Sequence, residues 1–574
     1  MTEPGSGTAA VDAWWRSAVV YQVYPRSFAD GDGDGIGDLP GILSKLDHLA
    51  ELGVDVLWLS PVYRSPQHDN GYDISDYQDV DPLFGSLEDL DALIAALHER
   101  GMKLLMDLVV NHTSDEHPWF TASRSSKDDP KRDWYWWRPA RPGTVPGTPG
   151  AEPNNWGAFF SGPAWTFDEA TGEYYLQLFS AKQPDLNWEH PDVRAAVHEM
   201  MRWWVDRGVD GFRMDVINMI SKEPSLPDGP VAAGATHGDG TPHFLSGPRI
   251  HEFLQEMHRE VLAGRPGLLT VGEMPGVTIE QAVLYTDPAR RELDMVFQFE
   301  HVGVDHGRDK WDVQPLDLRA LKASLGRWQE GLAERGWNSL YWNNHDQPRV
   351  VSRFGDDGEH RVRSAQALGT VLHLHRGTPF VYQGEELGMP NAPWASVDDF
   401  RDLESVNHHA DAIAAGQDPA AALAGLRAMS RDNARTPVQW DASPHAGFTT
   451  GTPWLPVHPD AAQVNAAVQR DDPDSVLAHY RRLIALRHTE DVVAHGDFTM
   501  LLPDDPSVYA FLRRYEGVEL LVVANLSSTG DVPVPLPDWP QWAVAPVLST
   551  NLPDRAGDPL VLQPWEARVH RREV

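Results

Sequence analysis

Residues 211–218 read "GFRMDVIN". Arg213 and Asp215 are two apart, so in a strand both point to the same face. A guanidinium beside a carboxylate keeps that carboxylate ionised, and an ionised, oriented carboxylate is what a nucleophile requires. The stretch ends a short apolar run, Gly208–Val216, which follows a helical stretch at Val193–Arg207. Working outward, the same alternation recurs between residues 19 and 390. The other runs are Val19–Pro25, Val54–Ser60, Leu104–Asn111, Leu268–Glu273, Leu293–Phe299, Ser339–His345 and Pro379–Gly384. Helical stretches lie between them at Leu43–Leu52, Leu87–Arg100, Ile250–Leu262 and Leu318–Arg335. Eight strands alternating with helices predict an α/β fold, a (β/α)8 TIM barrel.

The spacing breaks once. About 95 residues separate the third and fourth runs, far more than a helix needs. The reading is therefore a barrel whose first part is residues 1–111, with a subdomain inserted after strand 3 at 112–180. The second part of the barrel is 181–496 and carries an insertion after strand 8 at 391–475. From residue 497 to 574 the pattern changes to short alternating strands with proline-rich turns, which predicts an antiparallel β-sandwich.

Composition sets limits on function. The chain has 574 residues, more than one hydrophobic core supports, and no cysteine, so disulfides and thiolate metal sites are excluded. The net charge of −36 repels nucleic acid and anionic membrane, so neither is expected as a partner. No apolar run approaches the roughly 18 residues that span a bilayer. The N-terminal "MTEPGSGTAAV" lacks the apolar core of a signal peptide, which favours a cytoplasmic protein. The 22 tryptophans fill cores, and aromatic faces also pack on sugars.

Barrel active sites lie at the C-terminal ends of the strands. Four ends here carry polar strings: "DLVVNH" (Asp107–His112), "GFRMDVIN", "VGEM" (Val271–Met274) and "NNHDQPR" (Asn343–Arg349). Glu273 has apolar neighbours in Val271 and Met274, and a carboxyl in a drier setting can act as general acid. One charged and one protonated carboxyl are the pairing that glycoside hydrolysis uses. Asp346, after His345, supplies a third acid that can grip sugar hydroxyls.

The loop "ADGDGDGIGDLPGI" (Ala29–Ile42) follows the first run. Its alternating carboxylates would repel phosphate, and no lysine follows the glycines. Position twelve of the loop is Gly41 where an EF-hand has Glu, so it is no calcium sensor. A structural Ca²⁺ or Mg²⁺ held by Asp30, Asp32, Asp34, Asp38 and the Ile36 carbonyl is expected, and no organic cofactor.

The four strand-end strings, in order and spacing, resemble the four short motifs of the α-amylase superfamily, glycoside hydrolase family 13. The strings "QVYPRSF", "DGDGIGDLPGI", "DNGYDISDY", "QPDLNW" and "RDNARTPVQW" resemble its oligo-1,6-glucosidase and α-glucosidase branch. The resemblance implies a retaining, exo-acting α-glucosidase for short oligosaccharides or disaccharides. It implies Asp215 as nucleophile, Glu273 as acid/base and Asp346 as stabiliser of the transition state. It implies that Arg213 orients Asp215, that His112 and His345 bond the glucose, and that Tyr72 stacks on its ring. Asp69 and Arg435 would clamp the 4-hydroxyl of a terminal glucose, and Asp107 would brace Arg213. It also implies the structural metal. Val216 together with "QPDLN" resembles enzymes acting on α-1,6 bonds, with transglucosylation as a side activity.

Four alternatives share the scaffold. Sucrose isomerases carry "RLDRD" where this chain reads "VDHGRD" (Val304–Asp309), and trehalose synthases usually have Ala where it has Val216. Trehalose-6-phosphate hydrolases share "QPDLN" and Val, but need a basic pocket for the leaving group. Transporter heavy chains lose the carboxylates that are present here. Oligomeric state is left open.

Overall fold

The computed structural model describes residues 13–553 and 558–574. The N-terminal "MTEPGSGTAAV" lies outside the described residues. All eight predicted runs form parallel strands. They are Val20–Val23, Val56–Leu59, Lys103–Leu108, Gly211–Met214, Leu269–Glu273, Met295–Phe297, Ser339–Leu340 and Thr378–Tyr382. Each strand pairs with its neighbours in chain order, and the first pairs with the eighth. A parallel bridge between Val296 and Asn338 closes the sheet into a barrel.

Strands buried on both faces read as continuous apolar runs, which is why the period-2 pattern is faint here. The interior is filled by Val20, Val56, Trp58, Leu105, Val271, Met295, Phe297 and Phe380. The alternate residues, such as Tyr21, Leu57, Leu104 and Phe212, face the surrounding helices. Register decides what meets at the top. Asp107 lies opposite Arg213, and Gly272 lies opposite Met214. The next residues along these two strands are Asp215 and Glu273, which therefore leave the barrel side by side.

Helices differ from expectation mainly at their ends. The stretch predicted at Leu43–Leu52 is two helices, Leu39–Ser44 and Leu46–Leu52. The first starts early because the Asp38 side chain caps it, accepting from the Gly41 N–H. The stretch predicted to reach Arg335 is helical over Leu318–Gly331.

The segment after strand 3 holds a three-stranded sheet of Trp137–Arg138, Glu173–Leu176 and Trp165–Asp168. The segment after strand 8 holds helices Leu403–Ala414 and Pro419–Met429. At the C-terminus, five antiparallel strands form one sheet: Asp497–Leu501, Val508–Tyr515, Val518–Asn525, Ala567–Glu573 and Val547–Thr550. Its second layer is a two-stranded ribbon, Val532–Pro533 with Val561–Leu562, and the short helix Trp539–Trp542. No described helix is long and apolar enough to cross a membrane.

Candidate active site

One guanidinium organises the top of the barrel. Arg213 Nη1 lies 2.6 Å from Asp107 Oδ1 and 2.7 Å from Asp215 Oδ1, while Nη2 lies 2.7 Å from Glu273 Oε1. Arg213 thus serves three carboxylates, where the sequence reading gave it to Asp215, with Asp107 as a brace. Asp107 is fully buried and also accepts from Trp58 Nε1 (2.9 Å) and the Tyr72 hydroxyl (3.3 Å). Burial pushes its carboxyl up to about 6, against the pull of Arg213. Burial first, and then the charge of Glu273, raise Asp215 well above the usual range, while Arg213 opposes them.

The apolar setting expected for Glu273 is only part of its surroundings, and this corrects the sequence reading. Its Oε1 is ion-paired with Arg213, and its Oε2 accepts the Val216 N–H at 3.1 Å. Val216 is at φ 34°, ψ 41°, a left-handed conformation that a β-branched residue rarely adopts. Such a backbone costs about 1–3 kcal/mol. Here it aims an N–H at Glu273.

Asp346 stands across the site. Burial raises its carboxyl, but His345, Arg431 and Arg435 outweigh burial and hold it well below the usual range. Arg435 Nη2 lies 2.8 Å from Asp346 Oδ1, and Arg431 Nη1 lies 3.4 Å from the same oxygen. His345 is stacked on Tyr72, with ring centroids 5.2 Å apart. Burial lowers the His345 imidazole to about 3, and it meets Gln22 Nε2 at 2.8 Å and Asp346 at 3.3 Å. His112 is lowered to about 4 by burial, and its Nε2 faces the Tyr72 carbonyl at 3.1 Å.

The expected Asp69–Arg435 pair is not formed. Arg431 stands beside Asp69 instead, at 3.5 Å, and Arg435 is spent on Asp346 and on the His345 carbonyl. Both arginines come from "RDNARTPVQW", four residues apart. Burial pushes Asp69 up to about 6, opposed by Arg431 and Arg435. Its Oδ2 accepts from Gln183 Nε2 at 3.0 Å, while Oδ1 has no hydrogen-bond partner.

Residues 22–496 match the model of the alpha amylase catalytic domain, and residues 498–569 match that of the maltogenic amylase C-terminal domain. The chain belongs to the α-amylase superfamily, glycoside hydrolase family 13. It is 54% identical to an oligo-1,6-glucosidase of Parageobacillus thermoglucosidasius, over 97% of this chain and 99% of the relative. It is 57% identical to an oligo-1,6-glucosidase of Halalkalibacterium halodurans, over 89% and 90%. Among solved structures, Bacillus licheniformis trehalose-6-phosphate hydrolase superposes with a TM-score of 0.90 at 45% identity, over 97% and 99%.

In this family 13 chain the cavity above Asp215 and Glu273 measures about 330 Å³. Asp69, Tyr72, His112, Asp215, Glu273 and Asp346 line it, whereas Arg213, His345 and Arg435 lie behind the wall. The sequence reading missed much of the lining: Phe159, Phe160, Phe179, Phe299, Lys310, Glu404 and Arg431. The phenylalanines come from irregular segments, where no periodicity marks them. Arg431 was within reach, since it opens a string that had been singled out.

The glycine-rich loop brings three of its four aspartates together. One carboxylate oxygen from each of Asp30, Asp32 and Asp38 lies within 4.8 Å of the others. Asp34 is outside this group, and its Oδ1 accepts the Ile36 N–H at 2.7 Å. Burial, and to a lesser extent the charge of Asp30, raise Asp38, and that crowding of hard oxygens suits a divalent cation. Gly35 has φ +100°, and a Cβ there would fall 1.9 Å from the Thr452 carbonyl. The loop thus packs directly on the segment after strand 8.

Proposed function

We propose that this chain is a retaining, exo-acting α-glucosidase that removes terminal α-linked glucose from short oligosaccharides, with competence for α-1,6 bonds. The observation that carries the reading is the pairing of Asp215 and Glu273 on one guanidinium at the floor of the cavity. Carboxyls on adjacent strand ends, held by neighbouring nitrogens of a planar fork, suit the roughly 5–5.5 Å separation of retaining enzymes. Inverting enzymes need roughly 6.5–9.5 Å to admit a water.

Asp215 attacks the anomeric carbon, and Glu273 gives its proton to the departing oxygen. Retention requires Asp215 ionised and Glu273 protonated when the bond breaks. Glu273 then takes a proton from water, which cleaves the glucosyl ester from the same face. Asp346, kept ionised by its arginines, stabilises positive charge developing at the ring. Asp69 Oδ1, which accepts no hydrogen bond, and Arg431 Nη2, 3.5 Å from it and ion-paired with Asp402, are placed to take a hydroxyl of the terminal glucose. A closed far end favours removal of one unit at a time. The oligo-1,6-glucosidase relatives and Val216 support the α-1,6 competence.

Proton NMR in the first minutes of isomaltose hydrolysis tests this reading. α-Glucose is expected first. β-Glucose first would show inversion and remove Asp215 as nucleophile.

Two further assignments belong to this reading. Asp30, Asp32 and Asp38 hold a structural Ca²⁺ or Mg²⁺ that steadies the loop, and the protein works in the cytoplasm. The trehalose-6-phosphate alternative draws on relatives of that name, the Bacillus subtilis one being 48% identical. It requires an anion site in the leaving-group half of the cavity.

A further inference from the structure

Strand 1 sends one polar side chain into the barrel. Gln22 opens the string "QVYPRSF" and is buried in strand Val20–Val23. Val20 faces the interior, and Gln22, two residues on, faces the same way. The Gln22 amide nitrogen lies 3.2 Å from Ser60 Oγ, just past strand 2, and 2.8 Å from His345 Nδ1. Neither Gln22 nor His345 lines the cavity. Aromatic neighbours pack the His345 ring. Tyr72 lies nearly parallel to it at 5.2 Å and Tyr24 at 6.0 Å, while Trp58 meets it edge-on at 6.2 Å. Such packing fixes the plane of the ring, but not the nitrogen that carries its proton.

What each nitrogen faces places that proton. His345 Nε2 lies 3.3 Å from Asp346 Oδ2. Asp346 is ionised, because His345, Arg431 and Arg435 outweigh its burial. A bare Nε2 would set a lone pair against that carboxylate, so Nε2 carries a hydrogen. Burial keeps the ring neutral; Arg213, Arg435 and Arg431 act in the same direction, and Asp346 opposes them. A neutral imidazole has a single N–H, so Nδ1 is left as an acceptor. Among the described residues, the Gln22 amide is the one group within hydrogen-bond reach of Nδ1 from another part of the barrel.

We propose that Gln22 is a positioning residue: by donating to His345 Nδ1 it fixes the imidazole as the tautomer protonated on Nε2, and so turns an N–H toward Asp346 and the sugar hydroxyl beside it. The role for the sugar rests on the α-glucosidase reading. Which nitrogen of a histidine is protonated is set by the hydrogen bond that the other one makes. In the opposite tautomer two acceptors would face each other across 3.3 Å. Asp346 would then swing away or take up a proton, and either change weakens its grip on charge developing at the sugar ring. Strand 1 thus acts on the transition state through a side chain that does not line the cavity.

The experiment uses the purified full chain, with isomaltose as substrate. Gln22→Met keeps the length of the side chain and removes the donor. It is expected to lower kcat by about tenfold to a hundredfold, as loss of the partner that orients a histidine does. KM should change by less than about threefold, since the lost interaction acts in the transition state. In a His345→Gln background the same substitution should cost less than about twofold, because residues that act through one another are not additive. An unchanged kcat in folded Gln22→Met protein overturns the inference. So do two losses that multiply, which would give Gln22 a packing role independent of His345. The proton itself is read by NMR on wild-type protein labelled with ¹⁵N-histidine, the His345 signals being those missing from His345→Gln. A neutral ring protonated on Nε2 is expected. A proton on Nδ1, or a charged ring at neutral pH, overturns the inference whether or not Gln22→Met folds. A wild-type protein that does not cleave isomaltose is a separate outcome. It overturns the α-glucosidase reading and leaves the tautomer to be decided by NMR alone.

Discussion

Two clusters of buried carboxylates sit on this barrel, and they are partnered in opposite ways. At the ends of strands 3, 4 and 5, Asp107, Asp215 and Glu273 surround Arg213 and open into the cavity. Just past strand 8, Glu385 and Glu386 are buried with hydroxyls and an imidazole. Tyr480 donates to Glu385 at 2.9 Å, Tyr21 donates to Glu386 at 2.9 Å, and His48 lies 3.2 Å from Glu386. Among the described residues, no arginine or lysine is ion-paired with either glutamate. Burial pushes Glu385 up to about 8, with the charge of Glu386 adding to it, so Glu385 is a neutral acid at pH 7. The first cluster shares one guanidinium and opens onto a cavity. The second has no such cation, leaves Glu385 neutral and serves as packing. A buried acid therefore signals chemistry only where a fixed cation stands beside it and an opening lets something reach it.

The largest effect expected is at the first cluster. Asp215→Asn should lower kcat by a factor on the order of 10⁴ or more, as loss of a catalytic group that acts within a unit does. Its melting temperature should not fall, because a carboxylate crowded against Glu273 is gone. A variant that kept a tenth of the activity would end the distinction between the clusters.

Arg213→Met should come next. It leaves three carboxylates uncompensated, and breaking a buried pair costs about 3–5 kcal/mol. Urea unfolding followed by tryptophan fluorescence reads that loss. A midpoint within error of wild type would mean that protonation replaces the guanidinium at little cost, as at the second cluster.

Arg431→Ala should raise KM for isomaltose by about tenfold or more, since Asp69 is left in a dry corner at a cost of about 1–3 kcal/mol. Arg435→Ala should act more on kcat, because Arg435 holds Asp346 and the His345 carbonyl. If Arg435→Ala proved the stronger KM variant, the clamp would return to the residue expected from sequence.

At the second cluster the effect reverses sign. Glu385 is raised in the fold, so the wild type loses stability as pH rises from the ordinary carboxylate range to about 8. Glu385→Gln does not titrate. Its advantage should be near zero at pH 4, grow to about 1–3 kcal/mol by pH 8 and then level off. Thermal melts across that range check it, and an advantage that shrinks toward pH 8 would contradict the raised acid.

The smallest effect concerns the loop of Asp30, Asp32 and Asp38, which stands between the clusters in character. Asp30 and Asp32 are partly or fully exposed and Asp38 is buried, and among the described residues no arginine or lysine is ion-paired with any of the three. A chelator should lower the melting temperature by a few degrees, about 2.7 kcal/mol being the worth of a ligand at one hundred times its Kd. Turnover below that temperature should be unchanged. Loss of activity in fully folded, chelated protein would place the metal in the chemistry.

Much of this was legible in the sequence, for identifiable reasons. The eight strands announce themselves because buried parallel strands must be apolar, and the polar residues that end them interrupt the runs. Asp215, Glu273 and Asp346 stand out for that reason. Arg431 and Arg435 could not be separated in the same way. They lie four apart around the short helix Asp432–Arg435, so both turn inward, and only the tertiary placement of the segment after strand 8 decides which reaches Asp69. Phe159, Phe160 and Phe179 come from a segment with little regular structure, whose side-chain directions carry no period. The Lys310–Glu404 pair spans two loops that meet only in the folded barrel.

The C-terminal sheet bears on a different property, the cooperativity of the whole molecule. Tyr509, Phe511, Leu520, Val522 and Val569 of that sheet belong to one apolar cluster with Leu321 and Leu325 of helix Leu318–Gly331 and with Leu368, Val371 and Leu372 of helix Arg361–Leu374. The Lys322 ammonium reaches across to the backbone carbonyls of Leu502, Asp505 and Val508. The Arg513 guanidinium reaches back to the carbonyls of Leu374 and Gly496. Residue 497 is thus where the chain changes pattern, but stability has no seam there. Cutting the chain at that point would strip the wall from helices on the strand 6 to strand 8 side of the barrel, and heating should unfold barrel and sheet in a single calorimetric transition.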